Sequence, residues 1–166
     1  MGKIQSGFTI MELMVVIAII GILAAISTPN LISWRMNRHY NDSLQTTLAI
    51  LNSAKMRAIK EQMETAVVFD LDENEIRAFI LDENGDWDAD NPIHTHEMGR
   101  GVTLTIPTPN RFNHVDGTQQ WHIDFGAIGM PIMGPNFQDG GRIRLENTRG
   151  LSNDIAINFT GRIRVQ

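Results

Sequence analysis

Cysteine is absent from the 166-residue sequence. That absence excludes disulfide staples, thiolate zinc sites, iron–sulfur clusters and thiol nucleophiles together. It leaves the compartment open, because proteins facing an oxidising space need not use disulfides. Excess positive charge is also missing: Lys and Arg number 14 against 19 Asp and Glu, a formal net charge of -5. Such a balance argues against a chain that coats nucleic acid over its whole surface, while leaving room for a local basic patch. No phosphate-cradling loop, serine elbow or recognisable triad occurs, and the carboxylates fall in turn-like segments, so the chain does not read as an enzyme. The length allows one domain with an appendage and is too short for a barrel enzyme. Aromatic residues make up only 7%, yet 42% of the chain is hydrophobic, which rules out a wholly disordered polypeptide.

What the sequence does have is an apolar run. Phe8 to Thr28 carries a single charge, Glu12, and eleven of its residues are Phe, Ile, Leu or Val. As a helix it spans roughly 31 Å, about the thickness of a bilayer's hydrocarbon core. Those eleven residues favour insertion by about 3 to 7 kcal/mol, against about 3 kcal/mol for one central acid. Two other readings compete. A buried core helix is hard to accommodate, because a helix apolar on every side cannot be covered by so small a domain. A secretory signal peptide has a shorter apolar region ending at a small-residue cleavage site, which Ala24-Ala25-Ile26-Ser27 imitates weakly. The polar stretch before the run, Met1 to Gly7, holds one base, Lys3. Bases lie on both sides of the span (Lys3 before it, Arg35 and Arg38 after it), so charge counting does not orient it.

Gly7-Phe8-Thr9-Ile10-Met11-Glu12-Leu13 resembles the prepilin signal of type IV pilins and type II secretion pseudopilins. The resemblance implies that a membrane aspartyl peptidase cuts after Gly7 and N-methylates Phe8. It implies a place for Glu12, Gly21 and Pro29 in assembly, an N-terminus in the cytoplasm, a span in the inner membrane and a domain in the periplasm. It also implies partners: other pilins in a helical filament, the prepilin peptidase, an inner-membrane assembly platform, and lipid before assembly. The physics of Glu12 agrees, since an ionisable group in a spanning helix requires a partner, and cutting after Gly7 creates a cationic amine on Phe8.

Beyond the span, Pro29 interrupts the apolar pattern and is expected to bend the helix. Leu44, Leu48, Leu51, Ala54 and Ala58 then recur at helical spacing, predicting one helix to about Met63. From Thr65 the period switches to two. Val67-Val68-Phe69 and Ile76-Ala78-Ile80 flank a polar turn, and further strands are expected at residues 102–106, 121–125, 142–145, 154–159 and 162–165. The expected class is therefore α+β: a long N-terminal helix packed on an antiparallel sheet. The expected segments are 1–7 (leader), 8–28 (span), 29–64 (amphipathic helix) and 65–166 (strand-rich domain). The layout resembles the GspH/FimT type of pilin-like protein through Ser53-Ala54-Lys55-Met56-Arg57-Ala58-Ile59, Asp86-Trp87-Asp88 and Gly161-Arg162-Ile163-Arg164-Val165.

Charge is unevenly placed. Asp70 to Glu97 holds ten acids and one base, Arg77, whereas Gln138 to Gln166 holds five arginines and three acids. The basic end repeats a tetrapeptide: Gly141-Arg142-Ile143-Arg144 and Gly161-Arg162-Ile163-Arg164. Residues two apart share a strand face, so adjacent strands would gather four guanidinium groups suited to phosphate oxygens. FimT-type minor pilins hold DNA through a C-terminal Gly-Arg-x-Arg motif, and the resemblance puts Arg162 and Arg164 in that role, with Arg142 and Arg144 beside them; an ordinary solvated strand face is the alternative. Asp82, Asn84, Asp86, Asp88 and Asp90 place oxygens at alternate positions, as calcium ligands do, or form a solvated turn. No other cofactor is expected. His94 and His96 share a strand face next to Glu97, but a metal site needs a further ligand, with His114 and His122 as candidates.

Overall fold

The computed structural model describes residues 8–108, 112–115, 117–132 and 140–166, and within the helix the side chains of residues 28–30 lie outside this set. Gly7 and the expected leader also lie outside it. The chain divides into two compact units, Met1–Asn37 and Arg38–Gln166. The second unit takes in half of the long helix rather than starting at the first strand, because the helix's buried stripe begins at Tyr40.

Helix α1 runs over Ile10–Glu61. Its assignment continues through residues 28–30, so the proline does not end it. It stops short of Met63 because Gln62 takes φ 55°, the left-handed conformation that closes helices at the first residue beyond them. Within the first unit, an 18-residue window of α1 has a mean hydropathy of 2.6 and no buried residue. That excludes the core-helix reading and leaves a helix long and apolar enough to cross a membrane. Within the second unit, Tyr40, Leu44, Thr47, Leu51, Ala54 and Ala58 form one buried stripe at three- and four-residue spacing. Leu48, expected in that stripe, is only partly buried at its margin.

Ten strands follow: β1 (Thr65–Asp70), β2 (Glu75–Ile80), β3 (His94–Glu97), β4 (Val102–Thr105), β5 (Asn113–His114), β6 (Gln120–Phe125), β7 (Pro131–Ile132), β8 (Gly141–Asn147), β9 (Ser152–Ile157) and β10 (Ile163–Val165). They form two antiparallel sheets rather than one. The first has the order β3-β2-β1-β6-β5 with β7 also on β6, and the second the order β10-β9-β8-β4. One core joins both sheets to α1, through Val67, Phe69, Ile76, Ala78, Ile123 and Phe125 of the first and Leu104, Ile143, Leu145, Ile155 and Ile157 of the second.

The seam between the sheets is closed by Asn74, in the β1–β2 turn at φ 53°. Its Nδ2 donates to the Val102 carbonyl at 2.8 Å and its Oδ1 accepts from the Leu104 N–H at 2.8 Å. One side-chain amide thus pairs the outer edge of β4 as a neighbouring strand would, removing an unpaired edge. Polar contacts pin the helix within the same unit. The Tyr40 hydroxyl donates to Asn153 Oδ1 at 2.6 Å, the Thr65 hydroxyl to the Ala54 carbonyl at 3.1 Å, and Lys55 Nζ to the Gly161 carbonyl at 2.8 Å.

Candidate functional site

The start of α1 is built by its own side chains. Phe8 and Thr9 precede the helix, and Phe8 is 82% exposed. Thr9 Oγ1 accepts the Glu12 N–H at 3.2 Å, and the Thr9 carbonyl accepts the first intrahelical bond from the Leu13 N–H. Thr9 is therefore the N-cap, and Thr9-Ile10-Met11-Glu12 is the sequence of a capping box. The sequence reading gave Glu12 an assembly role and passed over Thr9, although a threonine three residues before a glutamate at the head of an apolar run carries the signal. Glu12 stands in the first turn, where the helix dipole favours an anion. A side chain at Gly21 would meet nothing within 4 Å, so packing inside this chain does not require the glycine.

Within the Arg38–Gln166 unit the arginine repeat is arranged differently from the expectation. The two Gly-Arg-Ile-Arg strands are not adjacent, because β9 lies between β8 and β10. Arg142 and Arg164 both stand opposite Ala156, which sets their backbones about 10 Å apart across two strand spacings. Arg144 stands opposite Asp154 and donates to both its oxygens, at 2.7 and 3.0 Å. That hydrogen bond, more than the accompanying charge, holds the Asp154 carboxyl below the usual carboxylate range. The four-guanidinium patch is thereby corrected: one of the four is neutralised by an acid on the intervening strand. Arg164 is exposed on β10, whereas Arg162, expected in that strand, lies in the turn just before it because its N–H is taken by Asn158 Oδ1; it too is exposed, and no ion pair among the described residues involves either.

Both glycines of the repeat have structural causes. Gly161 closes the β9–β10 hairpin at φ 72°. There the Asn158 side chain accepts from the Thr160 and Arg162 N–H groups, a turn that wants a left-handed residue at that place. A β-carbon at Gly161 would also sit 2.5 Å from the Gly129 carbonyl oxygen. At Gly141 a β-carbon would overlap the Phe112 ring. The hairpin turn also takes Phe159, expected in a strand, and leaves it 59% exposed.

The acidic loop is explained by its own backbone. Asp82 Oδ1 accepts the Asn84 and Asp86 N–H groups at 2.8 and 2.9 Å, and Asp88 Oδ1 the Asp90 N–H at 3.1 Å. The first pair of bonds lowers the Asp82 carboxyl pKa. Among the described residues no three His, Asp or Glu side chains gather to hold a metal ion. Trp87, between them, stacks on Phe79 with centroids 6.1 Å apart and meets His122 edge-on at 5.1 Å. Phe79 and His122 pair with Ala66 and Val68 of β1, so Trp87 adds cover on that face of the first sheet, and all six residues of β1 are buried. Arg77, the lone base of this acidic stretch, is held by Asp70 at 3.0 Å and Glu75 at 2.8 Å.

The histidines are likewise dispersed. His94 Nε2 hydrogen-bonds with Ser53 Oγ at 3.1 Å, and His122 Nδ1 with Asp124 at 2.8 Å. His114 packs edge-on against Trp121. Burial lowers the His96 pKa, with Glu97 opposing the shift.

A helix capped just after a candidate cut site, unburied in its apolar first half and buried against antiparallel strands in its second, defines the class of helix-anchored filament subunits. Residues 2–28 match the prokaryotic N-terminal methylation motif. Two fimbrial proteins of Pseudomonas aeruginosa align over 133 residues at 34% and 41% identity, covering 80% of this chain and 76% of theirs. Among solved structures, the minor pseudopilin EpsH of the Vibrio cholerae type 2 secretion system shares the fold with a TM-score of 0.56 at 13% identity, over 77% of this chain and 96% of that one. The Pseudomonas aeruginosa type IV minor pilin FimU does so with a TM-score of 0.56 at 16% identity, over 78% and 90%. The chain belongs to the type IV pilin and type II secretion pseudopilin superfamily.

Proposed function

We propose that the protein is a minor subunit of a type IV pilus or type II secretion pseudopilus. It is made as a precursor, cut after Gly7 by a prepilin peptidase, N-methylated on Phe8, held in the inner membrane by the first half of α1 with its strand-rich unit in the periplasm, and assembled through that helix. The role is structural, not catalytic. The observation that carries the reading is the unburied apolar start of α1, which lies within the methylation motif matched at residues 2–28: a surface with no cover in its own chain is covered by lipid first and by neighbouring subunits afterwards. Mass spectrometry of the membrane-extracted protein tests it. The expected species begins at Phe8 and carries one added methyl group; a mature chain that keeps Met1 to Gly7 overturns the reading.

Arg162 and Arg164 support a second reading, in which the subunit grips duplex DNA taken up by a pilus. Both side chains are exposed and two residues apart, Arg162 just before β10 and Arg164 within it, and no ion pair among the described residues involves either. Guanidinium pairs at that spacing suit backbone phosphates rather than base edges. Replacing both with alanine is expected to weaken DNA binding equally across sequences and to reduce the salt slope by about two. Absence of binding by the unmutated protein at low salt removes this reading and leaves the structural one standing.

A further inference from the structure

We propose that Trp34 and Arg35 form a contact with phospholipid headgroups that sets how deeply α1 stands in the bilayer, an inference that rests on the reading of the first half of α1 as a membrane anchor.

The apolar surface of α1 does not stop where the apolar run does. Leu31, Ile32 and Trp34 are 57%, 56% and 57% exposed, as open as Ile17 at 57% and Ile20 at 58% inside the run. Leu31, Trp34 and Arg35 lie three and four residues apart and share one helix face. Trp34 stands six residues beyond Thr28, roughly 9 Å along the axis. With the run filling the hydrocarbon core, the headgroup layer beyond it is about 5 to 8 Å thick. Helical side chains lean toward the N-terminus, which brings the indole back into that layer, where an apolar ring with one N–H donor is best placed. Charge selects phospholipid as the occupant. Between Glu12 and Asp42 there is no acid, so this stretch holds nothing that repels a phosphate. Arg38, the next base, is engaged with Asp42 at 3.8 Å. Arg35 is exposed, and no ion pair among the described residues involves it. Its guanidinium can extend along its apolar stem and hold two phosphate oxygens through parallel hydrogen bonds. The indole resists moving into water and the guanidinium resists moving into hydrocarbon, so the pair fixes the depth of the helix. A subunit leaving the bilayer for a filament has to release this contact.

The test uses the full-length chain in vesicles of phosphatidylethanolamine and phosphatidylglycerol that carry a nitroxide quencher either on the headgroup or at the end of the acyl chain, about 15 Å deeper. The fluorescence missing from Trp34→Phe isolates the Trp34 signal from that of Trp87 and Trp121. Given that separation in depth, the headgroup nitroxide is expected to quench the Trp34 signal at least about twofold more than the acyl nitroxide. Arg35→Lys keeps the positive charge and is expected to keep the ratio. Arg35→Gln removes the charge, and the ratio is expected to fall toward one as the ring sinks, since an apolar stretch longer than the core accommodates by tilting or sliding. Equal or stronger quenching by the acyl nitroxide in the parent overturns the proposal, because the ring then lies in hydrocarbon. Quenching by neither label also overturns it, because the ring then lies in water or against protein. So does an unchanged ratio in Arg35→Gln, which would mean that the depth does not depend on the cation. A parent chain that fails to float with the vesicles defeats the anchor reading instead, and flotation of the parent alone tells the two failures apart.

Discussion

Glu12→Ala is expected to yield a protein that is processed at Phe8 and then stays in the membrane, with filament incorporation reduced at least tenfold. Two effects act in the same direction. A carboxylate in the apolar part of a spanning helix costs about 3 kcal/mol near its centre and less near its end, so removing it stabilises the lipid-embedded subunit. It also removes the anion that the amine on Phe8 of a neighbouring subunit would neutralise, and pairing of this kind disciplines register because a mismatched neighbour leaves a charge buried alone. Ten-fold corresponds to about 1.4 kcal/mol, well inside either effect. The measurement is the ratio of filament-borne to membrane-borne protein after shearing. Incorporation of Glu12→Ala at the parent's level would show that the carboxylate has no part in assembly.

Gly141→Ala is expected to destabilise the Arg38–Gln166 unit by about 3 kcal/mol, the upper part of the range for overpacking a filled core. The added methyl would lie within the Phe112 ring. Phe112 is itself 6% exposed and stacks on Phe69 with centroids 5.4 Å apart, and Phe69 is fully buried in β1. The ring therefore has no free direction in which to move. Thermal unfolding should show a midpoint lower by roughly 10 °C. Phe112→Leu combined with Gly141→Ala vacates part of the ring's volume and is expected to recover part of the loss; the same midpoint for Gly141→Ala and the parent would mean that the ring is not held where it stands.

The arginine repeat shows how far sequence reading extends. That Arg142-Ile143-Arg144 lies in a strand and that Ile163 and Arg164 lie in another was legible, because alternation with a period of two is written into successive residues, whereas Arg162 falls in the turn before β10. The inward isoleucines follow from it: Ile143 is fully buried and Ile163 packs against the core. That β9 would come between the two copies, and that Asp154 would stand opposite Arg144, depended on strand order and register, which no local pattern carries. The acidic loop is a similar case. Its turn-forming Asp and Asn residues were visible, but Trp87 turning inward onto Phe79 and His122 requires β2 and β6 to flank β1 first. Asn74 is a third. A lone asparagine in a hairpin turn is unremarkable in sequence, and its bonds to Val102 and Leu104 exist only once two sheets meet there.

By itself the amino-acid sequence determined the elements whose cause lies within a few neighbouring residues or within a regular repeat: the apolar run long enough for a bilayer, the buried stripe of α1 from Leu44 to Ala58, and the β1–β2 hairpin with its turn. Only the tertiary structure decided that there are two sheets, which arginines keep an unneutralised charge, and which side chains close the seam and the outer face. The physical reason is range. Helical and strand periodicity and caps are set by contacts a few residues apart, whereas strand order, register and ion pairing join residues far apart in the chain, where many pairings compete and the packing of the whole core selects one.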